Sequence, residues 1–145
     1  MQIKLSLSLP RDEMSVPVSR RIAAQALTTL GVQADCVSDI EVALTEACTN
    51  VLDHVGADDE YDVTVGISGD LCIIEVIDTG HGFDAAMLGL RDAELSAEEG
   101  RGIQLIRALV DRVRFTSRPE QGTIVHLEKD IVWEPDALLK VLDPA

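Results

Sequence analysis

Positive charge is scarce in this chain. Twelve lysines and arginines stand against 26 aspartates and glutamates, a formal net charge of −14. So negative a surface repels phosphate backbones and anionic lipid, and direct binding of nucleic acid or a membrane would need a local basic patch. The sequence offers only two loose clusters, Arg20 with Arg21 and Lys4 with Arg11. An acidic chain can instead dock on a basic protein, for instance one that binds DNA, although read alone the charge is first a solubility feature. Cysteine is also scarce: Cys36, Cys48 and Cys72 are far apart and form no CxxC pair for metal or redox chemistry. Cys48 and Cys72 sit among apolar neighbours and read as small core residues. His54, His81 and His126 are equally scattered, so no metal cluster is visible. No apolar run approaches the ~20 residues of a membrane span, and Lys4 and Ser6 interrupt any signal core in Met1 to Pro10. With 46% apolar residues the chain can still bury a core. The expectation is a cytoplasmic protein with a single domain over residues 1–130 and a C-terminal extension over 131–145.

Gln2 to Leu9 alternates, with Ile3, Leu5, Leu7 and Leu9 apolar, which predicts a half-buried strand ended by Pro10. From about Asp12 to Leu30 the period turns helical, with Ile22, Ala26 and Leu30 on one face and Gly31 as the stop. A second helix is predicted from Asp35 or Ser38 to Val55, closed by Gly56. Its apolar stripe is Ile40, Leu44, Ala47, Cys48, Val51 and Val55. Tyr61 to Ile67 and Leu71 to Ile77 read as strands of a hairpin across Ser68-Gly69-Asp70. Thr79 to Gly102 shows little periodicity, at most a short helical piece in Asp84 to Leu90, and loops this long are often functional. Helix resumes over Ile103 to Val113, with Ile103, Ile106, Val110 and Val113 inward. Val113 to Ser117 and Thr123 to Lys129 then form another hairpin, and a short helix is expected around Asp136 to Leu142. The order predicts an α+β fold: a two-layer α/β sandwich, mostly antiparallel, with helices on one face.

Several common site patterns are absent. There is no GxxxxGK followed by Ser or Thr. Gly80-His81-Gly82 and Gly100-Arg101-Gly102 each begin a GxGxxG, but Ala85 and Leu105 stand where its last glycine belongs. Gly66-Ile67-Ser68-Gly69 is not a nucleophile elbow. Four polar groupings remain. Glu46 and Asn50 are four apart on the second helix, opposite its apolar stripe, with His54 one turn further. A carboxylate there can take a proton from a hydroxyl, and the amide oxygen can ligate a hard cation such as Mg²⁺. Asp78-Thr79-Gly80-His81-Gly82 follows a buried strand, where a carboxylate suits a ligand amino group and glycines let backbone approach a flat ring. Gly100-Arg101-Gly102 opens a helix whose N–H groups can face an anion. Gly122-Thr123 precedes the last strand, with a hydroxyl in reach of a ligand. Taken singly, each has a plain alternative: a solvated helix face, a turn, a flexible helix entry, a hairpin.

Glu46-x-x-x-Asn50, Asp78-x-Gly80-x-Gly82, Gly100-x-Gly102 and Gly122-Thr123 together form the signature of a family. The chain resembles the Bergerat-fold ATPases, which include gyrase B, heat-shock protein 90, histidine kinases and MutL. Within them it looks most like the anti-sigma factor serine/threonine kinases of bacterial partner-switching systems, on the evidence of EACTNVLDH from Glu46 to His54 and GRGIQLIRALVDRV from Gly100. The resemblance covers about residues 3–130. It implies Mg²⁺ and ATP as cofactors, with Asn50 ligating the Mg²⁺ that bridges the phosphates and Glu46 as general base. Asp78 would accept from the adenine amino group, helped by Thr123. Gly80 and Gly82 would shape the adenine pocket, and Gly100, Arg101 and Gly102 would meet the phosphates under a lid of about Phe83 to Glu99. The implied reaction is γ-phosphoryl transfer to a serine or threonine of an anti-anti-sigma (STAS-type) protein, joined to sequestration of a sigma factor. First-helix residues such as Arg20 and Arg21 are candidate sigma contacts, and a homodimer through the first strand and helix is a further carry-over.

In one respect the chain departs from that group. Where a basic lid residue is usual, the approach to Gly100 here carries Glu94, Glu98 and Glu99, with Arg91 and Arg101 nearby. Carboxylates near a polyphosphate oppose it unless cations compensate. A second reading therefore stands beside the first: an ATP-binding module that sequesters a protein partner without phosphorylating it.

Overall fold

Strand β1 (Gln2–Pro10) sets exposed Lys4, Ser6 and Ser8 against half-buried Ile3, Leu5 and Leu7 and buried Leu9. The same period of two runs through β2 (Glu60–Ser68) and β3 (Leu71–Asp78), so one sheet face is apolar throughout. A computed structural model describes residues 2–53, 60–78, 97–118 and 122–138. After β1 come helices α1 (Ser15–Leu30) and α2 (Ala34–Asp53), then β2 and β3, helix α3 (Ala97–Leu109), and strands β4 (Arg112–Arg118) and β5 (Gly122–Asp130). The sheet order is β1-β2-β3-β5-β4, every neighbouring pair antiparallel. Register carries the apolar rows across it: Leu7 opposite Val63, Val63 opposite Val76, Val76 opposite Val125. This is the α+β sandwich with an antiparallel sheet that the element order predicts.

Helix α2 supplies the centre of the core. Ile40, Ala43, Leu44, Ala47 and Cys48 are wholly excluded from solvent, as the apolar stripe predicts. Val55 and the helix stop at Gly56 lie outside the described residues. Helix α1 is rotated from the face expected for it. Ser15, Val16, Ser19, Ala23 and Leu27 are buried, whereas Ile22 keeps 39% exposure. The rotation follows from hydroxyl chemistry: Ser15 Oγ lies 2.5 Å from the buried Tyr61 Oη, and Ser19 Oγ lies 3.7 Å from Cys48 Sγ. A reading that looks for large apolar residues passes over those serines.

Helix α3 begins at Ala97, ahead of both glycines, and ends at Leu109, not Val113. Ala97, Glu98 and Glu99 are good helix formers, and acids suit a helix N-terminus. At the other end, Lys129 Nζ donates to the Leu109 carbonyl at 2.8 Å and Asp111 N–H donates to Glu128 O at 2.9 Å. Val113 belongs instead to β4, opposite Leu127. The uneven stretch from Thr79 to Ser96, including the piece expected in Asp84 to Leu90, lies outside the described residues.

Residues 131–138 strap back over the fold. Ile131 N–H donates to Asp70 O at 2.9 Å and the Trp133 indole to Asp70 Oδ1 at 3.0 Å. Gln33 N–H bonds Val132 O at 2.8 Å, and Glu134 N–H bonds Gly31 O at 2.7 Å. Trp133 and Ala137 are buried by these contacts. The helix expected around Asp136 to Leu142 falls mostly outside the described residues.

Two stability predictions follow from these contacts. Gly31 has φ +100°, and a Cβ there would fall inside the envelope of Ala137 Cβ. Gly31→Ala is therefore expected to cost roughly 2–5 kcal/mol, read by denaturant melts, since left-handed strain and overpacking add. Burial pushes the thiols of Cys48 and Cys72 up to about 11 and about 12, and the Tyr61 phenol to about 12. These groups are acids held neutral by the fold, so their contribution is complete below the unfolded thiol value. It is lost as pH rises, because the unfolded chain releases protons that the fold keeps. The melting temperature should fall between about pH 8 and pH 10.5, and Cys72→Ala should shrink the fall.

Candidate functional site

Asp78 ends β3 and Thr123 lies directly opposite it on β5. Alternation puts Asp78 on the same face as Ile74 and Val76, and Thr123 on that of Val125 and Leu127. The apolar rows of the sheet thus finish in a carboxylate and a hydroxyl, 5% and 9% exposed, turned toward the helices. Directly opposed residues hold their Cβ atoms within about 4.5–5.5 Å, so one small ligand group can touch both. A carboxylate and a hydroxyl side by side can accept and exchange hydrogen bonds, and such a pair suits an aromatic base that presents an amino group.

On α2, Glu46 and Asn50 are both half-buried on the side away from Ile40, Leu44 and Cys48. Glu46 reaches α3: a Cβ added at Gly102 would lie 3.1 Å from Glu46 Oε2. Gly102 is buried, and its lack of a side chain is what admits the carboxylate beside the helix. Gly100 and Gly102 both lie within α3 as described, ahead of Ile103.

One residue of the site has no motif to announce it. Arg11, just past β1, donates from Nη1 to the Val51 carbonyl at 2.7 Å and from Nη2 to Asp78 Oδ2 at 2.5 Å. Its guanidinium is 14% exposed and the Asp78 carboxylate 7%. Their separation of 67 residues in the chain hides the pair from any local pattern. In the sequence Arg11 stands out only as half of a loose basic cluster with Lys4. Through this contact Asp78 is fixed to the Val51 end of α2, while α3 meets α2 at Glu46. Five helical residues, about 7.5 Å, separate the two contacts, with Asn50 near the Asp78 end.

Gly80, Gly82, His54 and most of the expected lid lie outside the described residues, and the Arg101 side chain does too. Of the sequence-derived set, the structure brings Glu46 to Gly102 and Asp78 to Thr123, and it lines both pairs along α2.

The histidine kinase-like ATPase domain model matches residues 9–129. Similar curated proteins include the "Serine-protein kinase RsbW" of Bacillus cereus strain G9842 and that of Bacillus mycoides strain KBAB4. Both are 27% identical over 141 residues, covering 90% of this chain and 87% of theirs. Among solved structures, the RsbU and RsbW domains of Rv1364c from Mycobacterium tuberculosis align with a TM-score of 0.69 at 21% identity. That alignment covers 89% of this chain and 32% of the other, so this chain spans about a third of that length. The histidine kinase domain of a blue-light activated histidine kinase from Erythrobacter litoralis EL346 aligns at 0.53 and 17% identity, over 85% of this chain and 62% of that one. Such identities speak for shared fold. With the match running from the end of β1 almost to the end of β5, the chain belongs to the family of histidine kinase-like ATPase domains.

Proposed function

We propose that the chain is an ATP-dependent protein serine/threonine kinase that also acts as an anti-sigma factor, phosphorylating an anti-anti-sigma partner and sequestering a sigma factor. The observation that carries this reading is the layout along α2: a buried carboxylate–hydroxyl pair at one end and a half-buried carboxylate against α3 at the other. The name serine-protein kinase on relatives 27% identical over nine-tenths of the chain supports it.

The residues present fit the nucleotide and its metal. Asp78 accepts from an amino group on the base, and the Thr123 hydroxyl assists. Asn50 offers one amide oxygen, a donor set that suits Mg²⁺, which keeps few protein ligands beside water and phosphate oxygens. When bound, the metal neutralises charge on the phosphate oxygens. Gly100, without a side chain, lets the phosphates approach its backbone, and Arg101 is placed in sequence to add charge there. Glu46 Oε takes the proton of the acceptor hydroxyl as its oxygen bonds to the γ-phosphorus. The bridging β,γ P–O bond breaks and ADP leaves. Gly102 keeps Glu46 in place by taking up no room.

The outer face of α1 supports docking of a protein partner. Met14, Val18 and Ile22 are exposed at intervals of four, a stripe along one side, and Val42 of α2 is exposed too. Arg20, Arg21 and Val42 share the lining of a groove between the helices. A homodimer through β1 and α1 would use the same region, with β1 an edge strand.

The second reading, sequestration without phosphoryl transfer, draws on Glu94, Glu98 and Glu99 before and beside Gly100. Radiolabelled ATP with a STAS-type partner separates the two: label on the partner supports the kinase, and bound ATP with no label supports the module. Glu46→Gln is expected to cut transfer by roughly 10²–10⁴-fold with ATP affinity kept. Gly102→Ala should hold or raise the melting temperature, since alanine gains roughly 0.5–1 kcal/mol over glycine in a helix. Transfer should nevertheless fall at least about tenfold, because the new methyl displaces Glu46 and misplacement of a catalytic group is costly.

A further inference from the structure

Two contacts of Arg11 differ in kind. Val51 lies in the last turn of α2 that the structure describes, and its carbonyl accepts a hydrogen bond from outside the helix. Arg11 Nη1 supplies one at 2.7 Å. The other arm of the guanidinium, Nη2, holds Asp78 Oδ2 at 2.5 Å. A guanidinium is planar and its donors are fixed relative to one another. Anchoring one nitrogen on the helix end therefore sets the direction from which the other meets the carboxylate. Asp78 sits at the end of an apolar strand face and is nearly excluded from solvent. Removing this cation takes away a charge partner from a buried carboxylate, which favours its turning or drawing in water.

We propose that Arg11 is a positioning residue for base recognition, braced on the end of α2 so that the Asp78 carboxylate is presented to the 6-amino group of a purine. The inference rests on the reading that Asp78 receives the base. It adds that the selectivity for that amino group is set by a residue just past the edge strand β1, two strands away from Asp78. Arg11 touches the base only through Asp78. A lysine is a single point charge on a flexible stem, so it can serve the carbonyl or the carboxylate but not hold both at a fixed angle.

The test is a ratio of affinities measured by calorimetry on the whole chain. ATP is compared with purine riboside 5′-triphosphate, which lacks only the 6-amino group. The unaltered chain should bind ATP at least about tenfold more tightly, the worth of one hydrogen bond to a charged group. In Arg11→Met the ratio should collapse to within about twofold, and Arg11→Lys should recover part of it. A purely structural pin on α2 would weaken both ligands together and leave the ratio intact, and that result overturns the proposal. A ratio near one in the unaltered chain overturns instead the assignment of Asp78 to the base, and the proposal with it. Should Arg11→Met fail to melt cooperatively, Arg11→Gln, which keeps a neutral donor, is read by the same ratio.

Discussion

Helix α2 is pressed onto the sheet by Ile40, Ala43, Leu44, Ala47, Cys48 and Val51, none more than 1% exposed. Alanine and cysteine at three of these six positions let the helix axis come close to the strands, and interiors packed at crystal-like density tolerate little rotation. With that face fixed, Glu46 and Asn50, three and seven residues after Ala43, fall half-buried along its edge, Glu46 where α2 meets Gly102 of α3. The polar line of the site is thus a geometric consequence of the core. Any change that rolls α2 moves Glu46 off Gly102 and drags the Val51 carbonyl from Arg11, so packing faults in the core would surface as faults in the site.

What a sequence shows well is what repeats locally. The alternation of β2 and β3 and the stripe of α2 were both legible, because each is decided within a few residues by a solvent-facing and a core-facing side. The pairing of Asp78 with Thr123 was only half legible: each stands in a recognisable motif, but their opposition depends on β5 returning beside β3. The α1 face was misread because Ser15 and Ser19 are buried for hydrogen bonds to groups far along the chain. The start of α3 was misplaced because two glycines were given more weight than the helix formers before them. Arg11 was invisible for the same reason as the α1 serines: its partners are 40 and 67 residues away.

In a chain so short of cations, where they go is informative. Arg11 covers the last turn of α2 and Lys129 that of α3, each binding a carbonyl and a carboxylate, Lys129 reaching Asp39 at 3.3 Å. Helix C-termini carry partial negative charge, so the placement of Lys129 on Leu109 is favourable in itself. Arg112 lies between Glu128 and Asp130 on the open sheet face, at 2.6 and 3.0 Å. There Glu128 is held below the usual carboxylate range by His126 first and Arg112 second. These three cations are committed to internal charge balance, which leaves Arg20 and Arg21 prominent beside the apolar stripe of α1.

The strap over residues 131–138 has a practical side. It ties the turn after α1 to the hairpin at Asp70, and β3 runs eight residues from there to Asp78. At about 3.3 Å per residue that is a separation of roughly 26 Å. Val132, half exposed within the strap, is therefore a good anchor for a dye or a surface linkage. A molecule immobilised there would turn its Asp78 end toward the solution, and a probe at that position would report unfolding while standing clear of the candidate site.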